Sequence, residues 1–198
     1  FQDVVVSVFV RFSRVVMSAV ASFMTCRPLV VLCGKPCSGK TTAAEKIASY
    51  IKEKGKEATI INLESLKLDP KARMAVFPSQ VRHFVAAFDE KNTHEVIKTQ
   101  VSRLLRSDNF VILDTMNFIK GYRYEMTASL EAVGPVVVSY GLSSCVVNVG
   151  GIDTPSTAIE AWNAAANHYS KEVLEDLSCR FEPPSPLTRW DTPLFRGC

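Results

Sequence analysis

A three-layer α/β fold with a mostly parallel central sheet is what the sequence predicts, and three observations predict it. From Pro28 onward, short runs rich in β-branched residues alternate with helical periods, the pattern of a parallel sheet covered by helices. The runs are continuously apolar rather than alternating, as strands buried on both faces are. A glycine-containing turn joins the first run directly to an amphipathic helix.

The first run, PLVVLC over 28–33, reads as a central strand. Thr41 to Lys54 carries Ala44, Ile47, Ala48 and Ile51 on one helical stripe with charges opposite, closed by Gly55. ATIIN at 58–62 reads as the second strand. Asn92, with Glu95 three residues on, predicts a helix start, and Ile97, Val101, Leu104 and Leu105 give its stripe. FVILD at 110–114 is a third buried strand ending in a carboxylate, and PVVVSY at 135–140 a fourth. The stretch 143–155 mixes an apolar run, a Gly pair and turn residues, and its pattern assigns no element. Thr154–Pro155 predicts an N-cap followed by proline in the first helical position, opening a helix through Trp162 towards His168. A short helix is expected around Lys171–Cys179. EPPSP at 182–186 cannot be helical and is expected as an extended arm over the surface.

The chain has 198 residues, which suits one domain, expected over 28–198. Hydrophobic residues at 47% and charged ones at 22% exclude a disordered or collagen-like chain. Lysines and arginines number 23 against 20 acids, and a net charge of +3 is too small to predict nucleic-acid binding by itself. The six cysteines form no C-x-x-C pair. A disulfide at Cys33 or Cys37 would distort the turn they flank, so a reducing compartment is expected, the cytoplasm first with the nucleus as an alternative. His83, His94 and His168 stand alone in sequence and suggest no zinc site.

Residues 1–27 are expected to lie outside the fold as an N-terminal extension. Arg11 and Arg14 interrupt their apolar run well short of the ~20 residues a membrane span needs, so no membrane partner is expected. Two readings stay open for the segment: a transit-like leader, or a fragment or over-extended frame with Met24 as the true start.

Gly34-Lys35-Pro36-Cys37-Ser38-Gly39-Lys40-Thr41 matches G-x-x-x-x-G-K-[ST], the phosphate-binding loop, or P-loop. Its glycines let consecutive N–H groups point inward at phosphate oxygens, and the following helix offers its positive end to the same anion. Residues 34–41, with Thr42 after them, are therefore the predicted nucleotide-binding set. Lys40 can reach the outer phosphates as a catalytic group, and the Thr41 hydroxyl can ligate Mg²⁺. Asp114, at the end of its strand, is the predicted partner of Thr41 at the metal and a catalytic candidate, although a strand-end aspartate can equally cap a turn. Glu64, after the second strand, either orients a water as a catalytic base or is a solvated loop residue. Asn117, Lys120 and Arg123 follow Asp114 closely and are candidates to face a polyanionic substrate or RNA. Lys120-Gly121-Tyr122-Arg123-Tyr124 interleaves cations and aromatics, which suits stacking on nucleic acid and ordinary packing alike.

PLVVLCGKPCSGKTT, DTMNFIKGYRYEM and RFEPPSPLTRWDTPLF together resemble the killer-toxin-insensitivity family of Elongator-associated P-loop proteins. That family is similar in turn to the kinase acting on seryl-tRNA for selenocysteine synthesis. The resemblance spans roughly Pro28 to Phe195. It implies a kinase-like P-loop NTPase fold and an ATP- and tRNA-binding regulator of Elongator, the complex that modifies wobble uridines. By position it would place ATP on Gly34 to Thr41, Mg²⁺ at Asp114, and Lys120 with Arg123 on the active face. Trp190 and Asp191 fall in the family's terminal block, read here as packing the arm onto the domain.

Departures from the family pattern are specific. Leu63-Glu64-Ser65-Leu66 holds one carboxylate where an acidic pair is expected, and Ala164-Ala165-Ala166 stands where an arginine would cover the phosphates. The chain ends at Cys198, and relatives are expected to continue into a tRNA-binding module, so tRNA binding by this chain alone is expected to be weak. Three functions follow: an ATP-hydrolysing Elongator regulator, a kinase acting on a tRNA-linked or small-molecule hydroxyl with Glu64 as base, or an adaptor that binds ATP to order a surface for a protein partner.

Overall fold

The computed structural model describes residues 29–63, 65–66, 79–105, 109–115, 117–132, 146–150, 156–166, 169–192 and 194–196. Strand β1 is Leu29–Leu32, and all four residues are buried because the sheet is covered on both faces. The phosphate loop leads from it into helix α1, Lys40–Glu53. Strand β2, Glu57–Ile61, is followed by helix α2, Ser79–Leu104, strand β3, Asn109–Leu113, and helix α3, Lys120–Ala132. Strand β4 is Val146–Gly150, then come helices α4, Ser156–Ala166, and α5, Lys171–Cys179. A 3-10 turn at Arg189–Asp191 and strand β5, Leu194–Arg196, complete the described chain. The five strands lie in the order β2-β3-β1-β4-β5, every neighbouring pair parallel.

The two faces of the sheet carry different helices. Val30, Leu32, Phe110 and Ile112 pack against Ala43, Ala44, Ile47 and Ile51 of α1. Those helix positions recur at the spacing that puts them on one side of a 3.6-residue helix. Leu29, Val31, Val111 and Leu113 point to the opposite face, against Ile97 and Val101 of α2 and Met126 of α3. Alternate residues of one strand therefore serve two cores, the period-2 consequence of extended backbone. Helix α1 stops at Gly55, which takes φ +74°, the left-handed turn that glycine adopts without a Cβ penalty.

Several sequence expectations shift by a residue or two, and three change in kind. Helix α2 starts at Ser79, so Asn92 and Glu95 lie inside it rather than at its N-terminus. Asn92 is exposed there, where its capping tendency costs little. Strand β4 lies in the stretch 143–155 that the pattern left unassigned, and its central Asn148 pairs with Val31 of β1. Strand β5, three residues long, carried no pattern of its own and is set by pairing with β4. The segment 135–140, read as a strand, lies outside the described residues, as do 1–28. Among the described residues no helix is long and apolar enough to cross a membrane.

The arm after α5 is not loose. Glu182 N–H donates to the Phe118 carbonyl at 2.9 Å, and the Glu182 carboxylate accepts from the Lys120 N–H. Asp191 is fully buried (0% exposed) and meets Arg123 of α3, itself 2% exposed. Arg123 Nε donates to Asp191 Oδ1 at 2.7 Å, while Oδ2 accepts from Ser185 N–H at 3.1 Å and from the Thr188 hydroxyl at 2.9 Å. Around this pair, Trp190 takes the Tyr124 ring edge-on at 5.2 Å, with the Lys120 ammonium over its face at 5.5 Å. The packing role read for the Trp190–Asp191 block agrees with these contacts.

Burial pushes the Asp191 carboxyl up, but the bonds from Arg123, Ser185 and Thr188 outweigh it and hold the group below the usual carboxylate range. A carboxyl with a lowered folded-state pKa stabilises the fold above its ordinary titration range, and that contribution disappears as pH falls through the lowered value. Asp191→Ala leaves Arg123 charged and buried without its partner, an expected cost of about 3–5 kcal/mol. Guanidinium denaturation at pH 7 should show that loss, and at pH 2 the difference from the unaltered chain should be much smaller.

Candidate functional site

Helix α1 leaves β1 on one face, and α3 leaves β3 on the other. Adjacent parallel strands whose crossovers diverge in this way open a crevice beyond their carboxyl ends. Into it come the loop after Leu32 and the turn after Leu113.

The loop is shaped by two left-handed residues, Cys37 at φ 53° and Gly39 at φ 83°. Such a sequence of conformations turns successive N–H groups towards one point, a nest for an anion. Gly34 is required by a close approach, since a Cβ there would lie 2.7 Å from the Ser38 hydroxyl oxygen. That hydroxyl is buried and has no hydrogen-bond partner, a cost an oxyanion in the nest would relieve. Lys40, the first residue of α1, folds back so that its ammonium donates to the carbonyls of Gly34 at 3.1 Å and Lys35 at 2.6 Å. The charge is thereby held over the loop rather than in solvent.

Asp114 follows β3 and is buried, with the Thr41 hydroxyl placed to favour its charged form. Burial raises its pKa, opposed by Thr41 and by the Lys40 charge. Burial lowers the Lys40 pKa, opposed first by Asp114. Each group is thus costly to keep charged and leans on the other. Cys33 is buried and its thiol is pushed up to about 12 by desolvation; Cys37 is raised for the same cause. Neither forms a thiolate readily, so neither is poised as a nucleophile.

Lys40, Thr41 and Asp114 open onto a cleft of about 470 Å³. Its other wall is apolar and aromatic: Phe118, Trp162, Tyr169 and Leu177. Asn163 of α4 ties that wall to the loop. Its carbonyl oxygen accepts from Tyr169 N–H at 2.9 Å and lies 3.7 Å from Cys37 Sγ, and its amide donates to the Tyr169 carbonyl at 2.8 Å. The volume suits a ligand of nucleotide size.

Gly34, Pro36, Cys37, Ser38, Gly39, Lys40, Thr41, Thr42 and Asp114 are brought together to line this cleft. Lys35 offers its carbonyl to Lys40. Glu64 lies outside the described residues. Asn117, Lys120 and Arg123 do not line the cleft, and Arg123 needs correction: the buried pair with Asp191 takes it away from any substrate or RNA. Asn117 is buried as well, with its amide on the strand-end carbonyls of Leu32 and Leu113. Lys120 is exposed on the arm side of α3. The aromatic wall escaped sequence reasoning because Trp162 and Tyr169 belong to no motif and reach the loop only through the fold.

The residues present fit a nucleotide phosphate chain: a nest, an orphaned hydroxyl and a lysine converge on one point. Among the described residues no group of three or more His, Cys, Asp or Glu could hold a metal. One hydroxyl and one carboxylate suit Mg²⁺, which keeps its waters and takes phosphate oxygens as further ligands.

A family model described as chromatin associated protein KTI12 matches residues 27–196. The zebrafish (Danio rerio) Protein KTI12 homolog is 32% identical over 173 residues, covering 85% of this chain and 55% of the relative. The Arabidopsis thaliana homolog is 34% identical over 174 residues, covering 84% and 51%. The chain thus spans about half the length of the curated relatives it matches. A solved structure described as Chaetomium thermophilum Kti12 in complex with ADP-AlF3 superposes with a TM-score of 0.64 at 30% identity. The match covers 85% of this chain and 88% of that one. The structural likeness supports the P-loop α/β fold with a parallel sheet for this chain.

Because burial makes ionised Asp114 costly, its folded-state pKa lies above the ordinary value, and the fold gains stability as pH falls through it. Asp114→Asn removes that cost and its pH dependence, but also the charge that supports ionised Lys40. The gain in melting temperature that the unaltered chain shows as pH falls through this titration should therefore be smaller in the variant. Calorimetric melting across pH checks it.

Proposed function

Since this chain belongs to the KTI12 family, we propose that it binds ATP with Mg²⁺ in this cleft and hydrolyses it slowly, as a tRNA-linked regulator of Elongator in wobble-uridine modification. The observation that carries the reading is the convergence of Lys40, Thr41 and Asp114 on the phosphate loop at the crevice between β1 and β3. The solved Kti12 complex, with its ADP-AlF3, supports a nucleotide here rather than another anion.

ATP would bring the terminal phosphoryl group as the electrophile. Loop N–H groups would cradle the phosphate oxygens without reorganising, because the left-handed residues at 37 and 39 already aim them. Lys40 would move its ammonium from the Gly34 and Lys35 carbonyls to the outer phosphates, where charge grows during transfer. Thr41 and Asp114 would hold Mg²⁺. The aromatic wall of Phe118, Trp162 and Tyr169 would exclude bulk water, which strengthens each of these charges.

A second reading has its own observation. Among the described residues lining the cleft, Lys40 is the one cation, and α4 carries Ala164 and Ala165, both exposed, where a phosphate-covering arginine is expected. A transition-state arginine is worth about 10³-fold or more in such enzymes. Without one, the chain would bind ATP to order a docking surface for a protein partner, with little turnover.

ATP turnover by the purified chain with Mg²⁺, with and without tRNA, separates the two. The hydrolase reading expects phosphate release that rises with tRNA and disappears in Lys40→Ala. Losing the charged contact should also weaken ATP binding by about 10-fold or more. Tight binding without turnover favours the adaptor, and no binding at all overturns the nucleotide site.

A further inference from the structure

Where β1 and β3 part at the crevice, their ladder of hydrogen bonds ends. Val31 still pairs with Leu113, but beyond that register one strand turns into the phosphate loop and the other into the Asp114 turn. The Asn117 side chain spans the fork. Its amide donates to the Leu32 carbonyl at 3.0 Å and to the Leu113 carbonyl at 3.2 Å, and its oxygen accepts from the Thr115 hydroxyl at 3.0 Å. All four residues are buried, so the arrangement is costly to break.

Asn117 is itself held from behind. Its backbone carbonyl accepts from Arg123 Nη1 at 3.0 Å, and the same guanidinium grips Asp191 through Nε. Asp191 in turn organises the arm through Ser185 and Thr188. A continuous chain of polar contacts, half-buried at Ser185 and Thr188 and buried from Asp191 inward, therefore runs from the arm, through Arg123 and Asn117, to the two strand ends that carry Thr41's loop and Asp114.

We propose that Asn117 is a positioning residue that sets the separation of the phosphate loop and Asp114, and that the arm at 182–192 tunes this separation through Arg123. The inference rests on the nucleotide reading of the cleft. Asn117 touches no ligand in it. Its work is to keep Asp114 within reach of the cation that Thr41 also holds, so its loss affects the Mg²⁺-dependent part of ATP affinity rather than the grip of the loop itself. Coupling of this kind is reciprocal, so bound nucleotide must also steady the arm.

Titration calorimetry of ATP into the full chain, in Mg²⁺ and in EDTA, tests it. Asn117→Ala should lose about tenfold of the gain in affinity that Mg²⁺ confers, the scale of one charged contact. Its affinity in EDTA should stay within about threefold. Thr188→Val, on the arm and far from the loop in sequence, should lose a smaller part, about two- to threefold. In the unaltered chain, Mg²⁺-ATP should slow hydrogen exchange at the Ser185 and Thr188 amides, a readout that stands even if Asn117→Ala fails to fold. A lowered melting point with the Mg²⁺ gain intact in the variants, or exchange at the arm that ignores Mg²⁺-ATP, overturns the inference and leaves the nucleotide site standing. Failure of the unaltered chain to bind ATP overturns the nucleotide reading, and this inference with it.

Discussion

The pairing of β1 with β3 is the constraint on which the rest depends. Both strands are buried along their central residues, and their crossover helices leave on opposite faces. That topology opens the sheet at one place, and the loop with Lys40 and the turn with Asp114 occupy it. The hydrophobic terms behind it are ordinary: Val30, Val111, Ile112 and Leu113 are wholly removed from water. At about 25 cal/mol per Å² of apolar surface, such side chains contribute roughly 1.5–3 kcal/mol each. This apolar frame holds the polar groups of the crevice where solution chemistry would not leave them.

Those polar groups are kept in place at a cost. Lys40 and Asp114 each titrate away from their ordinary values because burial disfavours their charged forms. Lys40 relieves part of its cost on loop carbonyls, Asp114 part of its own on Thr41. The Ser38 hydroxyl finds no partner at all. A site tuned for its own stability would not leave these debts, whereas a site tuned for a phosphate chain and a cation would. The Arg123–Asp191 pair is the opposite case. Each partner is met by hydrogen bonds, and the pair lies outside the cleft, tying the arm to Asn117.

The phosphate loop was legible in the sequence because all its information is local: strand, Gly34, Gly39, Lys40, Thr41 and helix follow within about twenty residues. The role of Arg123 was not, because its partner lies 68 residues away. A basic residue beside a predicted metal strand looks the same whether it faces a ligand or a buried carboxylate. Asn117 was likewise placed on the substrate side, and only the register of β1 against β3 shows that two carbonyl groups claim its amide. Trp162 and Tyr169 carry no signal except being aromatic. Strand β4 was lost to a brief apolar run interrupted by Asn148 and closed by glycines, and the long reach of α2 to a capping pattern that sits inside it.

A crystal structure of the chain with a non-hydrolysable ATP analogue and Mn²⁺, located by its anomalous scattering, tests the central claim most directly. The account predicts the phosphates within the loop at 34–41 and the ion beside the Thr41 hydroxyl with Asp114 at hand. A nucleotide bound elsewhere, or an ion that Thr41 and Asp114 do not approach, would contradict it.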